Sequence, residues 1–387
     1  MSAPRPAATE ATSDAVRVAV DAMGGDYGPT EVVPGALDFA RSHPDDSVIL
    51  VGDEAIVRGI AGDLPANVRI VHATEVIGMD EHPALALREK KGATILVATD
   101  LVRRGEADAV LTAGHTGAGM AAAVLRLGRL PGVDRPGLAV MLITQSGPIV
   151  LIDIGANPDS TAENLAQYAH MGAIFAERVL GVAEPRVALL SIGEEKGKGD
   201  ARIQAATALL DVSGLRFTGN VEGKDLTTHA ADVVVCDAVV GNVVIKFFEG
   251  LSTFIFDLWR DEFRRTWRGK LAYVLMRPGI GRIRSVFDYE KVGGSILLGV
   301  KGTAVITHGR AKRRMIGYAC EVTATTARTR VPELIAESLA AGGAAHAALA
   351  AAAAPIEPTA VTEPSTTSTQ SMATAPTEPT PSEEVTT

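Results

Sequence analysis

One pattern recurs five times along this chain and constrains its fold more than any other feature: a run of four to six apolar residues, a glycine-containing turn bearing Asp, Asn, His or Lys, then a helix-forming stretch. It appears in VRVAVDAMGGDYGP from Val16, ADAVLTAGHTGAG from Ala107, PIVLIDIGAN from Pro148, VALLSIGEEKGKG from Val187 and VVVCDAVVGN from Val233, the last leading into the helix of Lys246. Val/Ile/Leu runs without a polar face belong to strands covered on both sides, hence to a parallel sheet under helices. The expected fold class is α/β: a three-layer α/β/α sandwich with a mainly parallel, Rossmann-like sheet.

Ligands of such sheets sit at the carboxyl ends of the strands. One cleft is therefore expected to collect Gly24, Gly25, Asp26, His115, Thr116, Gly117, Asn157, Lys198 and Asn242. Gly24 and Gly25 let bare backbone N–H groups approach an anion; the alternative is an ordinary strand-to-helix turn. Asp21 and Asp26 flank these glycines and would orient the loop or bind hydroxyls and water, since a bare carboxylate repels phosphate. Asp153 and Asp237 are read as loop organisers in the same way.

In order, these segments resemble the phosphate acyltransferases of bacterial phospholipid synthesis. The resemblance runs from about Val16 to Gly309 through VDAMGGDYGP, VHATEVIGMDEHPALALREKKG, AGHTGAGMAA, LPGVDRPGLA, IDIGAN, SIGEEKGKG, TGNVEGKDL, VVVCDAVVGNVVIKFFEG and GGSILLGVKG…HG. It implies transfer of an acyl group from acyl-acyl carrier protein to inorganic phosphate. That chemistry needs a phosphate cradle, positioning and stabilisation of new negative charge more than a strong acid or base, because a thiolate leaves readily. No Gly-x-Ser-x-Gly or HExxH motif is present, and direct transfer without an acyl-enzyme, metal or cofactor is expected. Lys198 aligns with the family's charge-bearing lysine, with Lys196 as local competitor. Asn242 would donate to the oxyanion, or cap the helix that follows it. Lys246 would reach the same cleft or lie at the surface. His115 stands where the family usually carries asparagine, adding a titratable group to an expected phosphate contact.

Two cysteines exclude a disulfide framework and a cysteine zinc site. Cys236, in an apolar strand, reads as a buried, inert thiol. Residues 1–14 lack the apolar core of a secretory signal, and no apolar run is read as long enough to span a membrane; a cytoplasmic protein is expected. The folded domain is expected over residues 15–338, with 1–14 and 339–387 disordered. From Pro355 the chain is Pro/Thr/Ser/Glu-rich, with five glutamates and no Lys or Arg, so without it the net charge is −4 rather than −9.

Between Phe247 and Tyr289 lie ten of the sixteen aromatics, and between Arg260 and Arg284 eight basic residues. Phe256, Trp259, Phe263 and Trp267 recur at helical steps, flanked by Arg260, Arg264, Arg265 and Arg268. Either this is a core helix, or residues 250–290 form a projecting hairpin that turns at Pro278-Gly279 and docks on a membrane surface or a second subunit. The resemblance implies a homodimer, contact with anionic lipid and carrier protein, and delivery of product to the membrane glycerol-3-phosphate acyltransferase. No nucleic-acid motif accompanies the charge. Two other readings are an isocitrate- or isopropylmalate-type dehydrogenase, and a non-catalytic scaffold that binds carrier protein or membrane.

Overall fold

The computed structural model describes residues 15–144, 146–286 and 289–352; the N-terminal 14 residues and the tail from 353, expected above to be disordered, lie outside them. The strands are β1 (Arg17–Asp21), β2 (Ser47–Gly52), β3 (Val68–His72), β4 (Ala109–Thr112), β5 (Gly137–Thr144), β6 (Gly147–Ile152), β7 (Val187–Leu190), β8 (Phe217–Val221), β9 (Val233–Val235), β10 (Ser295–Leu298) and β11 (Thr303–Ile306). The helices are α1 (Pro29–Ser42), α2 (Glu54–Ala61), α3 (Pro83–Glu89), α4 (Thr94–Arg103), α5 (Thr116–Arg126), α6 (Ala162–Leu180), α7 (Ala201–Asp211), α8 (Ala238–Arg265), α9 (Trp267–Val286), α10 (Arg313–Arg328) and α11 (Val331–Ala352).

Alternation along the strands feeds two apolar layers. Val18, Val20, Val48 and Leu50 pack with α1 and α10, whereas Ala19, Ile49 and Val51 pack with α4 on the other face. Each fully buried aliphatic side chain contributes about 1.5–3 kcal/mol, so both faces are held. All five expected strands form, in one eleven-stranded sheet of order β3-β2-β1-β4-β11-β10-β5-β6-β9-β7-β8.

The sheet is mainly parallel but consists of two blocks. Strands β3, β2, β1, β4 and β11 run together; β10 reverses, β5 reverses again, and β6, β9, β7 and β8 run opposite to the first block. The carboxyl ends of the two blocks consequently point in opposite directions. They still meet at the centre. The pairings Ile152↔Ala139, Ala139↔Ile296, Ile296↔Val305 and Val305↔Leu111 bring the end of β6 level with the last residues of β11 and β4.

Helices α8 and α9 form the expected hairpin, with two corrections. The chain turns at Thr266, not at Pro278-Gly279, which lie inside α9. Thr266 is extended, and its hydroxyl accepts the Gly269 N–H at 3.0 Å, so it caps α9. A Cβ on Gly269 would stand 2.7 Å from the Phe263 carbonyl, so only glycine allows so tight a corner. Trp267 therefore starts the second helix instead of extending the α8 face. The helices touch through Phe263 and Tyr273, ring centroids 5.7 Å apart. Most of α8 is uncovered: only Ala238, Gly241 and Ser252 are buried. An 18-residue window within it has mean hydropathy 1.5, enough by length and composition alone to cross a membrane, and 11% of that window is buried. Asn242, Lys246 and Glu249 interrupt the apolar run of this helix.

The alanine-rich run from Ala340 is helical to Ala352 as the end of α11, in keeping with alanine's helix propensity. By internal contacts the chain divides into residues 1–345, which carry the sheet, and 346–387, of which only the helical residues to 352 are described.

Candidate active site

The turn after β1 is glycine because other loops press on it. Gly25 has φ 95°, and a Cβ on Gly24 would lie 2.8 Å from the Gly114 nitrogen. The Asp26 N–H donates to the Gly309 carbonyl at 2.8 Å. The loops that follow β1, β4 and β11 are thus laced together. Asp21 lies beneath them, 3% exposed; Thr112 Oγ1 donates to its Oδ2 at 2.8 Å, and burial pushes its carboxyl up from the usual value. It does not line the cavity between α5 and α8.

His115 caps α5. Its Nδ1 accepts the Gly117 N–H at 3.0 Å, the bond that an asparagine Oδ1 makes at the same position. With Asp21 it lines only a small hollow, whereas its neighbours Thr116 and Gly117 line the cavity between α5 and α8.

Where the two blocks meet, a cavity of about 580 Å³ opens between α5, α8 and the faces of β5 and β10. Met79, Met120, Val140, Leu142, Ile245 and Phe248 are among its apolar walls. Asp26, Thr116, Gly117, Asn242, Lys246 and His308 bring polar groups into it. Asn242 and Lys246 stand one turn apart on α8, and both are exposed to the opening. Asn242 does not cap this helix. Asp237 does, accepting the N–H groups of Val239 and Val240 at 2.9 and 3.0 Å while paired with Arg202 at 2.9 Å. Gly241 is likewise a helical residue and not a turn glycine. A Cβ there would lie 2.0 Å from the Asp153 carbonyl oxygen, so α8 packs backbone to backbone on the end of β6.

Asp153 organises that end. Its Oδ1 accepts the N–H groups of Leu138, Gly155 and Ala156, and its Oδ2 that of Asn157, all at 2.8–3.1 Å. Burial pushes this carboxyl up, against the pull of the four amides. Asn157 spends its amide internally, donating to the Pro136 carbonyl and the Tyr168 hydroxyl, each at 2.6 Å. It lines a second hollow of about 580 Å³ that shares Gly117 and Met120 with the first. Tyr168 is fully buried, which raises its hydroxyl to about 12. Cys236 and Cys320 are both buried, with their thiols pushed up by desolvation.

Lys198 is not brought into this cavity. It is exposed on the loop between β7 and α7, its carbonyl 3.3 Å from the Asn220 amide nitrogen, while Lys196 pairs with Asp211 at 3.2 Å. Strand β7 lies two positions beyond β6 in the sheet, about 10 Å away at ordinary strand spacing. The expected single cleft thus gathers Asp26, Thr116, Gly117, Asn242 and Lys246, sets Asn157 in the neighbouring hollow, and leaves Gly24, Gly25, His115 and Lys198 out of its lining.

Two cavity residues were given no role from the sequence: Glu249 and His308. Glu249 follows Asn242 by seven positions, on the same helical face. His308 sits in a sixth copy of the strand-then-glycine pattern, TAVITHG after β11. In this cluster Arg310 Nη2 lies 2.9 Å and His308 Nε2 3.6 Å from Glu249 Oε2. Burial pushes the Glu249 carboxyl up, but His308, Arg310 and Lys246 together hold it below its usual value.

The chain is similar to several known proteins. A phosphate acyltransferase of Desulfitobacterium hafniense is 48% identical over 310 residues, 79% of this chain and 92% of that protein. One of Pelotomaculum thermopropionicum is 44% identical over 326 residues, 84% and 95% of the two chains. Among solved structures, a phosphotransacetylase from Streptococcus pyogenes superposes with TM-score 0.54 at 17% identity, over 81% of this chain and 94% of that one. One from Staphylococcus aureus gives 0.52 at 15%, over 82% and 96%; these two share the fold. The dehydrogenase alternative gives way to the sequence relatives. Residues 16–334 match the family model described as fatty acid synthesis protein, and with those relatives this places the chain in the phosphate acyltransferase family.

Proposed function

We propose that this chain transfers a fatty acyl group from the thioester of acyl carrier protein to inorganic phosphate, giving acyl phosphate for glycerol-3-phosphate acylation. The observation that carries the reading is the cavity, where long apolar walls meet the N-terminus of α5, Asn242 and Lys246. Its volume suits a small-molecule pocket, about 300–1,000 Å³. A helix N-terminus favours an anion. A phosphate oxygen attacks the thioester carbonyl; the C–O bond forms, the C–S bond breaks and the thiolate leaves with its electron pair. The Asn242 amide donates to the transient oxyanion, and Lys246 offsets its charge.

The working form is a homodimer at the inner face of the membrane, in the cytoplasm. The exposed aromatics and arginines of the hairpin support this: Trp259 and Trp267 offer apolar surface beside the half-buried Phe263, and Arg260, Arg264, Arg265 and Arg268 suit anionic lipid or the acidic carrier. The membrane glycerol-3-phosphate acyltransferase takes the product.

The test is phosphate-dependent release of free thiol from a long-chain acyl-acyl carrier protein, with a chelator present and no nucleotide. One acyl phosphate per thiol is expected. Binding of the carrier without phosphate consumption would leave a scaffold, and an absolute need for Mg²⁺ or ATP would overturn the direct route. In this assay Asn242→Ala is expected to lower kcat about 10²–10³-fold. Lys246→Ala is expected to cost more than Lys198→Ala; the reverse order returns the charge role to the β7–α7 loop.

A further inference from the structure

The Glu249–His308 pair is built as a fixed hydrogen-bond donor. The Arg310 backbone N–H donates to His308 Nδ1 at 3.3 Å, which makes Nδ1 the acceptor and keeps the proton on Nε2. Nε2 faces Glu249 Oε2 at 3.6 Å, an ion-pair distance too long for a hydrogen bond. The carboxylate attracts the Nε2–H from just beyond hydrogen-bond distance and so orients the ring at the cavity wall. Glu249 is itself held by Arg310 at 2.9 Å and lies on the α8 face that carries Asn242 and Lys246. The loop bearing His308 is tied to the glycine turn through Asp26 N–H and Gly309 O. Both His308 and Glu249 line the cavity.

We propose that His308 is a further catalytic residue, donating through Nε2–H to a phosphate oxygen in the cavity, and that Glu249 is its positioning residue. This rests on the transfer reading above and names one more group of the same site. The role is donation, not proton transfer, so glutamine, whose amide nitrogen reaches the Nε2 position, can replace it; asparagine, which reaches only Nδ1, cannot.

The test uses the full-length protein and two readouts: inorganic phosphate binding by calorimetry, and phosphate-dependent thiol release. His308→Ala and His308→Asn are expected to weaken phosphate binding about tenfold or more, the scale of one lost bond to a charged group, and to raise the KM for phosphate with little change in the KM for the carrier. His308→Gln should stay within about threefold of the wild type on both readouts. Glu249→Ala should weaken phosphate binding less than His308→Ala and add little to it in the double variant. Unchanged phosphate affinity in His308→Ala, or a glutamine variant as weak as alanine, overturns the assignment; additive losses remove Glu249 from it. Should the wild type bind phosphate yet release no thiol, the transfer reading fails, and the binding series alone decides whether His308 holds the anion.

Discussion

The central sheet and the α8–α9 hairpin treat large apolar side chains in opposite ways. Around the sheet Tyr168, Phe175 and Ile152 are fully buried, while in the hairpin Phe247 and Trp267 are 68% and 70% exposed. Both regions carry large apolar side chains in sequence, so the presence of such residues alone does not separate a core from a surface. The difference lies in what each has to pack against. The sheet offers two faces to helices of the same chain. Beyond its first turns, α8 meets chiefly α9, which leaves an uncovered strip of the kind that marks docking surfaces.

The sharpest way to break this contrast is Gly241→Ala, where hairpin and sheet join. The new Cβ would fall 2.0 Å from the Asp153 oxygen, and neither backbone can yield without disturbing the four amides that Asp153 holds. A loss of about 3 kcal/mol is expected, read as a fall in Tm together with loss of cavity function. A change below about 1 kcal/mol would mean that α8 is not seated on β6 as described.

Next come the hairpin residues, the exposed Trp259 and arginines and the half-buried Phe263. Trp259→Ser with Phe263→Ser should leave stability within about 1 kcal/mol, yet reduce binding to anionic vesicles, or dimerisation, by at least about tenfold. If these side chains were core, each would cost about 3–5 kcal/mol and the protein would unfold, erasing the distinction. Reversing Arg264, Arg265 and Arg268 to Glu should weaken vesicle binding or raise the carrier KM several-fold and flatten the salt dependence. Exposed charges act over about 10 Å at 0.1 M salt. An unchanged salt profile would remove the arginines from the docking surface.

The smallest effect is expected at His115, on the sheet side. His115→Asn preserves the acceptor for Gly117 N–H and should change stability by less than about 0.5 kcal/mol, whereas His115→Ala removes the cap and should cost about 1 kcal/mol. Equal losses in the two variants would show that histidine does more here than cap α5.

Much of the body was legible before the structure. The strand runs, the glycine turn after β1 and the aromatic hairpin all stand where the residue pattern places them, because each follows from local spacing and side-chain chemistry. The errors share a cause. Gly241-Asn242 looked like a turn because Gly-Asn is a common turn pair; it is helical because Asp237 caps a helix four residues earlier, and residue 241 is glycine because the Asp153 carbonyl leaves no room for a Cβ. Pro278-Gly279 looked like the hairpin bend, but the Thr266 cap and the Gly269 contact turn the chain earlier. Glu249 and His308 went unassigned because they come from a helix and a strand end far apart in the chain.

By itself the sequence determined the α/β class, membership of the phosphate acyltransferase family, the burial of Cys236, and an apolar, basic hairpin. Only the tertiary structure decided the direction of the second strand block, and with it the make-up of the site. Strand direction and register depend on pairing between distant segments, which no local pattern encodes. Because β6 runs against β5 and ends level with β4 and β11, the α5 N-terminus, Asn242, Lys246 and His308 share one cavity. Because β7 lies two strands farther out, Lys198 does not.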